Sequence, residues 1–256
     1  IYTLSLHDAL PIWSAIDLND MPEETESRLE QFLKIYIQEE EEMEEIEISS
    51  RYMETENSLV ANSRFLLKDY DEEIVSFIVK DNILVSVRSQ DLASFNETTR
   101  KIFANSRNYP TGYHVMTTLL ETRVDYDADL IEDLTREIAE LSGQLKSEED
   151  VDNEILISIK DLQERTMIIR ENIVDKQRIC SNMIKSVLFP PDAKAKMSIL
   201  IKDINSLFEH IRFSFERLEY MQDTFLGLVN IQQNKIIKIF TIVSVIFMPP
   251  TLIASI

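Results

Sequence analysis

Residues 191–248 read PDAKAKMSILIKDINSLFEHIRFSFERLEYMQDTFLGLVNIQQNKIIKIFTIVSVIFM, and the fold turns on this stretch. Pro190-Pro191 stops any helix before it, because proline lacks the backbone donor and clashes with the preceding turn. Asp192 then stands where a side-chain oxygen caps a new helix. No proline falls between 192 and 248. Leu200, Ile204, Leu207, Ile211, Ser214, Leu218, Met221, Phe225 and Leu228 recur at steps of four and three, which is a heptad seam. At 1.5 Å per residue the predicted helix extends roughly 85 Å. It runs on without a break signal into Ile239–Ile256, which carries no charged residue. Such a run reaches the lower limit, about 18 residues, for crossing a bilayer core. The sequence therefore predicts a stalk helix over 192–234 and a truncated membrane segment over 235–256. A stiff rod of this kind transmits displacement, where a Gly/Ser linker would only tether.

Working outward, Ile155, Ile159, Leu162, Thr166, Ile169, Ile173, Lys176, Cys180, Met183 and Val187 repeat the same rhythm, interrupted only at Thr166 and Lys176. Ile131, Leu134, Ile138, Leu141 and Leu145 do so before them. Ser142-Gly143 and the acidic 147–152 stretch mark a turn, so residues 110–191 read as an antiparallel helical pair.

Residues 13–109 have another texture. Pro22-Glu23-Glu24 opens a helix expected to run through Tyr36, and Glu39–Glu47 is an acidic run suited to a solvated helix face. Ser49–Glu56, Leu59–Lys68, Glu73–Lys80 and Ile83–Arg88 are short, partly alternating segments separated by turn-forming residues. Asp81-Asn82 fits a tight hairpin. Asp91–Asn105 returns to helix. The class is α+β, a small and mostly antiparallel sheet followed by long coiled-coil-like helices. Residues 1–12 lack a basic n-region and an apolar h-region, so they form no signal peptide. They read as an unmatched leader or an artefact.

Composition narrows the function. Of 256 residues 44% are hydrophobic, which fits a packed core, and only three are glycine, which fits long helices. With 46 acids against 26 bases the net charge is −20, the wrong sign for a nucleic-acid binder. An acidic surface suits solubility and cation attraction. The single cysteine, Cys180, falls in the apolar phase of its helix and reads as a core residue. His7, His114 and His210 have no metal-ligand spacing. No phosphate loop, nucleophile elbow or paired-histidine motif is present, so nothing points to an enzyme.

The segment Asn230–Ile256, with Asn234-Lys235-Ile236-Ile237-Lys238 followed by Phe247-Met248-Pro249-Pro250-Thr251, resembles the first transmembrane helix of the CorA family of magnesium and other divalent-cation transporters. In that family it leads into Tyr-Gly-Met-Asn, which the chain stops short of. Trp13–Leu18, Ile46–Tyr52 and Leu119-Leu120-Glu121-Thr122 are collinear, weaker likenesses. The resemblance implies a homopentamer in the cell (inner) membrane. Each α/β/α cytosolic domain would be followed by a stalk helix, and the first membrane helix would line the pore. It places Asp223, Asn234, Met248 and Thr251 along the permeation path, and Ile237 and Phe240 at its apolar gate. Helical spacing puts Thr241 and Ser244 on the face shared by Asn234, Ile237, Met248 and Thr251. Magnesium keeps its waters, so a path for it combines neutral oxygens with apolar constrictions. Cytosolic magnesium bound between acidic neighbours would close the pore, with Asp203 and Glu209 as the stalk residues for it. Mg2+ is thus expected as transported and regulatory ion, with no organic cofactor, and the partners are the bilayer and divalent cations. The alternatives are zinc or another divalent cation as cargo, or a membrane-anchored coiled-coil scaffold without a pore.

Overall fold

The computed structural model describes residues 15–19, 23–38, 42–43, 51–145 and 153–254, with 23 and 248–254 by their backbone alone. The elements are β1 (Ala15–Asn19), α1 (Glu23–Leu33), β2 (Tyr52–Glu54), β3 (Ser58–Leu66), β4 (Glu72–Lys80), β5 (Ile83–Arg88), α2 (Ala93–Ala104), α3 (Gly112–Gln144), α4 (Asn153–Lys185) and α5 (Pro191–Ala254). The five strands form one sheet in the order β1-β5-β4-β3-β2. Three pairings are antiparallel and β1 runs parallel to β5, from Ala15↔Leu84 to Asn19↔Arg88. The expected α+β class and mostly antiparallel sheet are what the chain forms, with β1 a strand that periodicity did not mark.

Local chemistry sets the ends of these elements. The β4–β5 hairpin turns at Asp81 and Asn82, with φ of 49° and 68°. Two positive φ values define the turn whose twist matches the flanking strands. Helix α1 stops at Leu33, three residues short of the expected Tyr36. Lys34 enters the left-handed region at φ 52°, and the Ile35 N–H donates to the Glu30 carbonyl at 3.2 Å. That six-to-one bond after a left-handed residue is a Schellman ending. The acidic run Glu39–Glu47 lies almost wholly outside the described residues.

Both faces of the sheet are covered, which is why its three central strands β3, β4 and β5 are buried along most of their length, while the edge strands β1 and β2 are largely exposed. On one face Leu18, Ile78, Val85 and Val87 pack beneath Leu29 and Leu33 of α1. On the other, Phe65 meets Phe77 and Phe95 of α2 with ring centroids 6.0 and 6.2 Å apart. The start of α3 docks on the hairpin. The Gly112 N–H donates to the Asn82 carbonyl at 2.6 Å, and a Cβ built at Gly112 would lie 2.4 Å from the Leu84 backbone nitrogen. Gly112→Ala therefore forces backbone apart. We expect a loss of about 1–3 kcal/mol in unfolding free energy, read as a lower urea midpoint with unchanged m.

By packing the chain divides into two compact units, Ile1–Ile131 with Ile168–Glu209 and Glu132–Met167 with His210–Ile256. The first holds the sheet. In the second, Leu134, Ile138 and Leu141 of α3, Ile155, Ile159 and Leu162 of α4, and Ile211, Leu218, Met221 and Phe225 of α5 are buried, as the heptads predict. Gln163 donates to Gln222 at 3.2 Å, and Arg165 pairs with Glu137 at 2.9 Å. Val187, assigned to the seam, is instead 86% exposed, because α4 already ends at Lys185.

Candidate functional site

Helix α5 has 64 residues and extends about 96 Å. Its root is tied down in the first unit. Buried His114 on α3 meets the Asp192 carboxylate through Nε2 at 2.9 Å, and its Nδ1 lies 2.8 Å from the Thr111 hydroxyl. That hydrogen bond from His114 holds the Asp192 carboxyl below the usual carboxylate range. In the second unit Ile211, Ser214, Leu218, Met221 and Phe225 turn inward, and 230–247 are exposed throughout.

Asp223 is exposed on the side of α5 opposite Phe225 and Leu218, since five residues span about 500° of helical rotation. Asn234, Ile237, Phe240, Thr241 and Ser244 are exposed farther along, Ile237 at 62% and Phe240 at 68%. Thr241 and Ser244 spend their protons on the helix itself, donating to the Ile237 and Phe240 carbonyls at 2.8 Å each. Their lone pairs stay available, so these two positions offer acceptors rather than donors, while the Asn234 amide can do either. Met248 and Thr251 lie in the helix, with side chains outside the described residues. The helix continues through Pro249-Pro250, which have no N–H to give the Val245 and Ile246 carbonyls. Among the described residues no helix is long and apolar enough to cross a membrane. Of the uncharged run Ile239–Ile256, side chains are described only as far as Phe247.

The two stalk acids are not brought together. Asp203 and Glu209 are both exposed, six residues apart and so about 240° apart around α5. Asp203 contributes to an acidic patch around Asp125 on α3. Burial raises the Asp125 carboxyl above its usual range, Lys101 opposes this, and Glu97, Asp129 and Asp203 add to it. Among the described residues no group of three or more His, Cys, Asp or Glu is arranged to hold a metal ion.

Sequence reading missed a buried charge cluster that mounts α3 and α4 on β3 within the first unit. Asp127, wholly buried, accepts from Arg123 Nε and Asn172 Nδ2 at 2.9 Å each. Lys176, also wholly buried, sits 3.5 Å from the other Asp127 oxygen and donates to the Arg64 carbonyl at 2.5 Å and to Asn172 Oδ1. Arg123 reaches the Leu66 carbonyl at 2.8 Å. Neighbouring Asp175 accepts from Ser63 Oγ and the Arg64 N–H at 3.0 Å each, with Arg51 at 3.4 Å. Lys176 and Arg123 each lie 5.2 Å from the Phe65 ring centroid. Burial pushes the Lys176 ammonium down to about 8 despite Asp127. The available signal was Lys176 and Asp127 both standing at seam positions of their helices, where an apolar residue belongs. Thr166, the other interruption, is satisfied locally by the Leu162 carbonyl at 2.5 Å.

Cys180 lies one turn beyond Lys176, and burial pushes its thiol up to about 12. A buried thiol held neutral is inert. We expect no labelling by a thiol reagent in the folded chain at pH 8, and stoichiometric labelling once urea unfolds it.

Compared with known proteins, residues 12–256 match the family model described as CorA-like Mg2+ transporter protein. The chain belongs to the CorA family. Among CorA relatives, the magnesium transport protein CorA of Wolinella succinogenes is 35% identical over 238 residues, covering 90% of this chain and 74% of that protein. The magnesium transport protein CorA of Escherichia coli is 28% identical over 260 residues, covering 98% and 82%. The fold matches the complete structure of the CorA magnesium transporter from Methanocaldococcus jannaschii with a TM-score of 0.79 at 18% identity, covering 94% of this chain and 78% of that one. The mixed five-stranded sheet followed by long helices also matches the soluble domain of CorA from the same organism, with a TM-score of 0.70 at 17% identity.

Proposed function

We propose that the chain is the cytosolic part and first pore helix of a magnesium channel subunit, working as a homopentamer in the cell (inner) membrane and closed by cytosolic Mg2+. The carrying observation is the exposed face of α5. Asn234 with Thr241 and Ser244 supplies neutral oxygens there, and Ile237 and Phe240 supply apolar rings. Around a five-fold axis such a face gives acceptors for the waters of a hydrated cation, alternating with constrictions that block conduction when dry. Asp223 would gather cations at the cytosolic mouth, and Met248 and Thr251 would extend the path outward. Oxygen donors without Cys or His favour a hard ion over zinc, in keeping with the relatives' name. Lys235 and Lys238 precede the uncharged run, as basic residues do at a cytoplasmic membrane boundary.

Assembly has its own support. Ile199, Phe213 and Tyr220 are 60–71% exposed and fall at heptad intervals along α5, a second seam that none of the described residues covers. Five copies at −20 each carry 5 × 20 = 100 excess negative charges, so neighbouring acidic faces repel until divalent cations bridge them. Asp203, which interacts electrostatically with the exposed Asp125, and Glu209 are the residues we assign to that bridging.

The test is uptake by the full-length protein in liposomes. Mg2+ influx should run with the cytosolic side magnesium-free and fall severalfold with millimolar magnesium there. Influx indifferent to cytosolic magnesium removes the feedback, and no influx under either condition removes the channel. Zinc that enters without being outcompeted by magnesium would assign the other cargo.

A further inference from the structure

The three glycines of the chain have different standing. Gly112 is demanded by the Leu84 backbone, and Gly143 lies near the end of α3. Gly227 sits deep inside α5, where a Cβ would meet nothing within 4 Å. No contact among the described residues excludes a side chain there, yet glycine weakens a helix about two- to fivefold per site against alanine. An independent observation fixes its place. The inward-facing positions Ile211, Ser214, Leu218, Met221 and Phe225 stop just before it, and 230–247 are exposed. Leu228 and Val229 are half-buried, so lateral support thins out between Phe225 and Asn230, around the one residue of that stretch with the weakest helix propensity. Asp223 stands on the supported side of it, and Asn234, Ile237 and Thr241 stand on the other.

We propose that Gly227 is a hinge in α5, at which the exposed segment bends against the supported segment and so couples movement of the soluble part to the ion path. The bending rests on the glycine's helix propensity and the thinning of burial around it, and its consequence for transport rests on the channel reading above. A close helix contact with a second copy is the competing use of a glycine. The large side chains of Ile199, Phe213 and Tyr220, one to four heptads before it in the same phase, hold a neighbour away from the backbone and favour the hinge.

The experiment compares full-length wild type with Gly227→Ala, and with Gly143→Ala as the same substitution at a helix end. Amide hydrogen exchange over 224–231 should slow about two- to fivefold in Gly227→Ala, with the thermal midpoint no lower. Mg2+ uptake should fall severalfold. Gly143→Ala should change neither readout. Unchanged exchange over 224–231 overturns the hinge whatever transport does. Slowed exchange with undiminished uptake overturns the coupling. Loss of the oligomer in Gly227→Ala by light scattering assigns the glycine to a helix contact and also overturns the hinge. Slowed exchange in a protein whose wild type conducts nothing leaves the hinge standing and removes the channel reading.

Discussion

Asn234→Leu in the full-length protein lowers Mg2+ uptake at least tenfold and moves the unfolding free energy by no more than about 0.5 kcal/mol. The two halves of this expectation come from one observation, that Asn234 is exposed on α5 beyond the last buried residue of its inner face. A side chain with no packing role contributes little to stability when exchanged for one of similar volume. Its amide oxygen, however, is the first neutral acceptor met on the proposed path. A hydrogen bond involving a charged group is worth about 1.5–3 kcal/mol, and every 1.4 kcal/mol is a factor of ten. Replacing a ring of such oxygens with isobutyl groups leaves the hydrated ion facing hydrocarbon before it reaches Ile237 and Phe240. The check is a magnesium-sensitive dye inside proteoliposomes, with urea unfolding run in parallel. Uptake at the wild-type rate would mean that α5 bears no pore face, and the anchored scaffold would become the better account.

Much of this architecture is written in residue spacing, because a heptad is a local code. The inward positions of α3, α4 and α5 could be named from steps of three and four. The hairpin at Asp81-Asn82 could be named from two residues that tolerate positive φ. Strand β1 was not legible in this way. Its five residues acquire a strand partner only through a parallel pairing with β5, some seventy positions later in the chain, where Asp17 meets Arg88 at 2.8 Å. Nothing within AIDLN announces that pairing. The end of α1 was misplaced for a related reason. Helix propensity continues past Leu33, but the left-handed turn at Lys34 stops it and sends Ile35 and Ile37 back onto the sheet. At the candidate site, the identities of Asn234, Ile237, Phe240, Thr241 and Ser244 came from resemblance and a shared helical face. Their exposure is what the structure adds. The buried charge cluster was hidden because pattern reading treats a lysine in an apolar seam as an interruption, when it also asks for a buried partner.

That partner carries the other large effect. Asp127→Asn should cost about 3–5 kcal/mol of unfolding free energy, because Arg123 and Lys176 would stay buried with their shared carboxylate neutralised. The neutral amide cannot compensate, since its nitrogen would turn a donor toward Arg123 or Lys176, which can only donate. Lys176→Met offers the complementary test through pH. The folded pKa of Lys176, near 8, lies below the ordinary lysine value of 10.5. Between those values the unfolded chain keeps a proton that the folded chain has released, so this group adds stability as pH rises, by up to roughly 3 kcal/mol. The gain is lost again as pH falls through 8. Cys180 acts in the opposite sense, because its folded thiol stays neutral up to about 12 while the unfolded thiol ionises above about 9. Both chains carry Cys180, so the difference in unfolding free energy between wild type and Lys176→Met isolates the lysine. Measured by urea unfolding, that difference should move in favour of wild type between pH 8 and 10.5. A flat difference would mean that Lys176 keeps its proton throughout, with Asp127 offsetting the whole cost of burying its charge. An Asp127→Asn loss below about 1 kcal/mol would mean that the Asp127 carboxylate is not what balances the two buried cations.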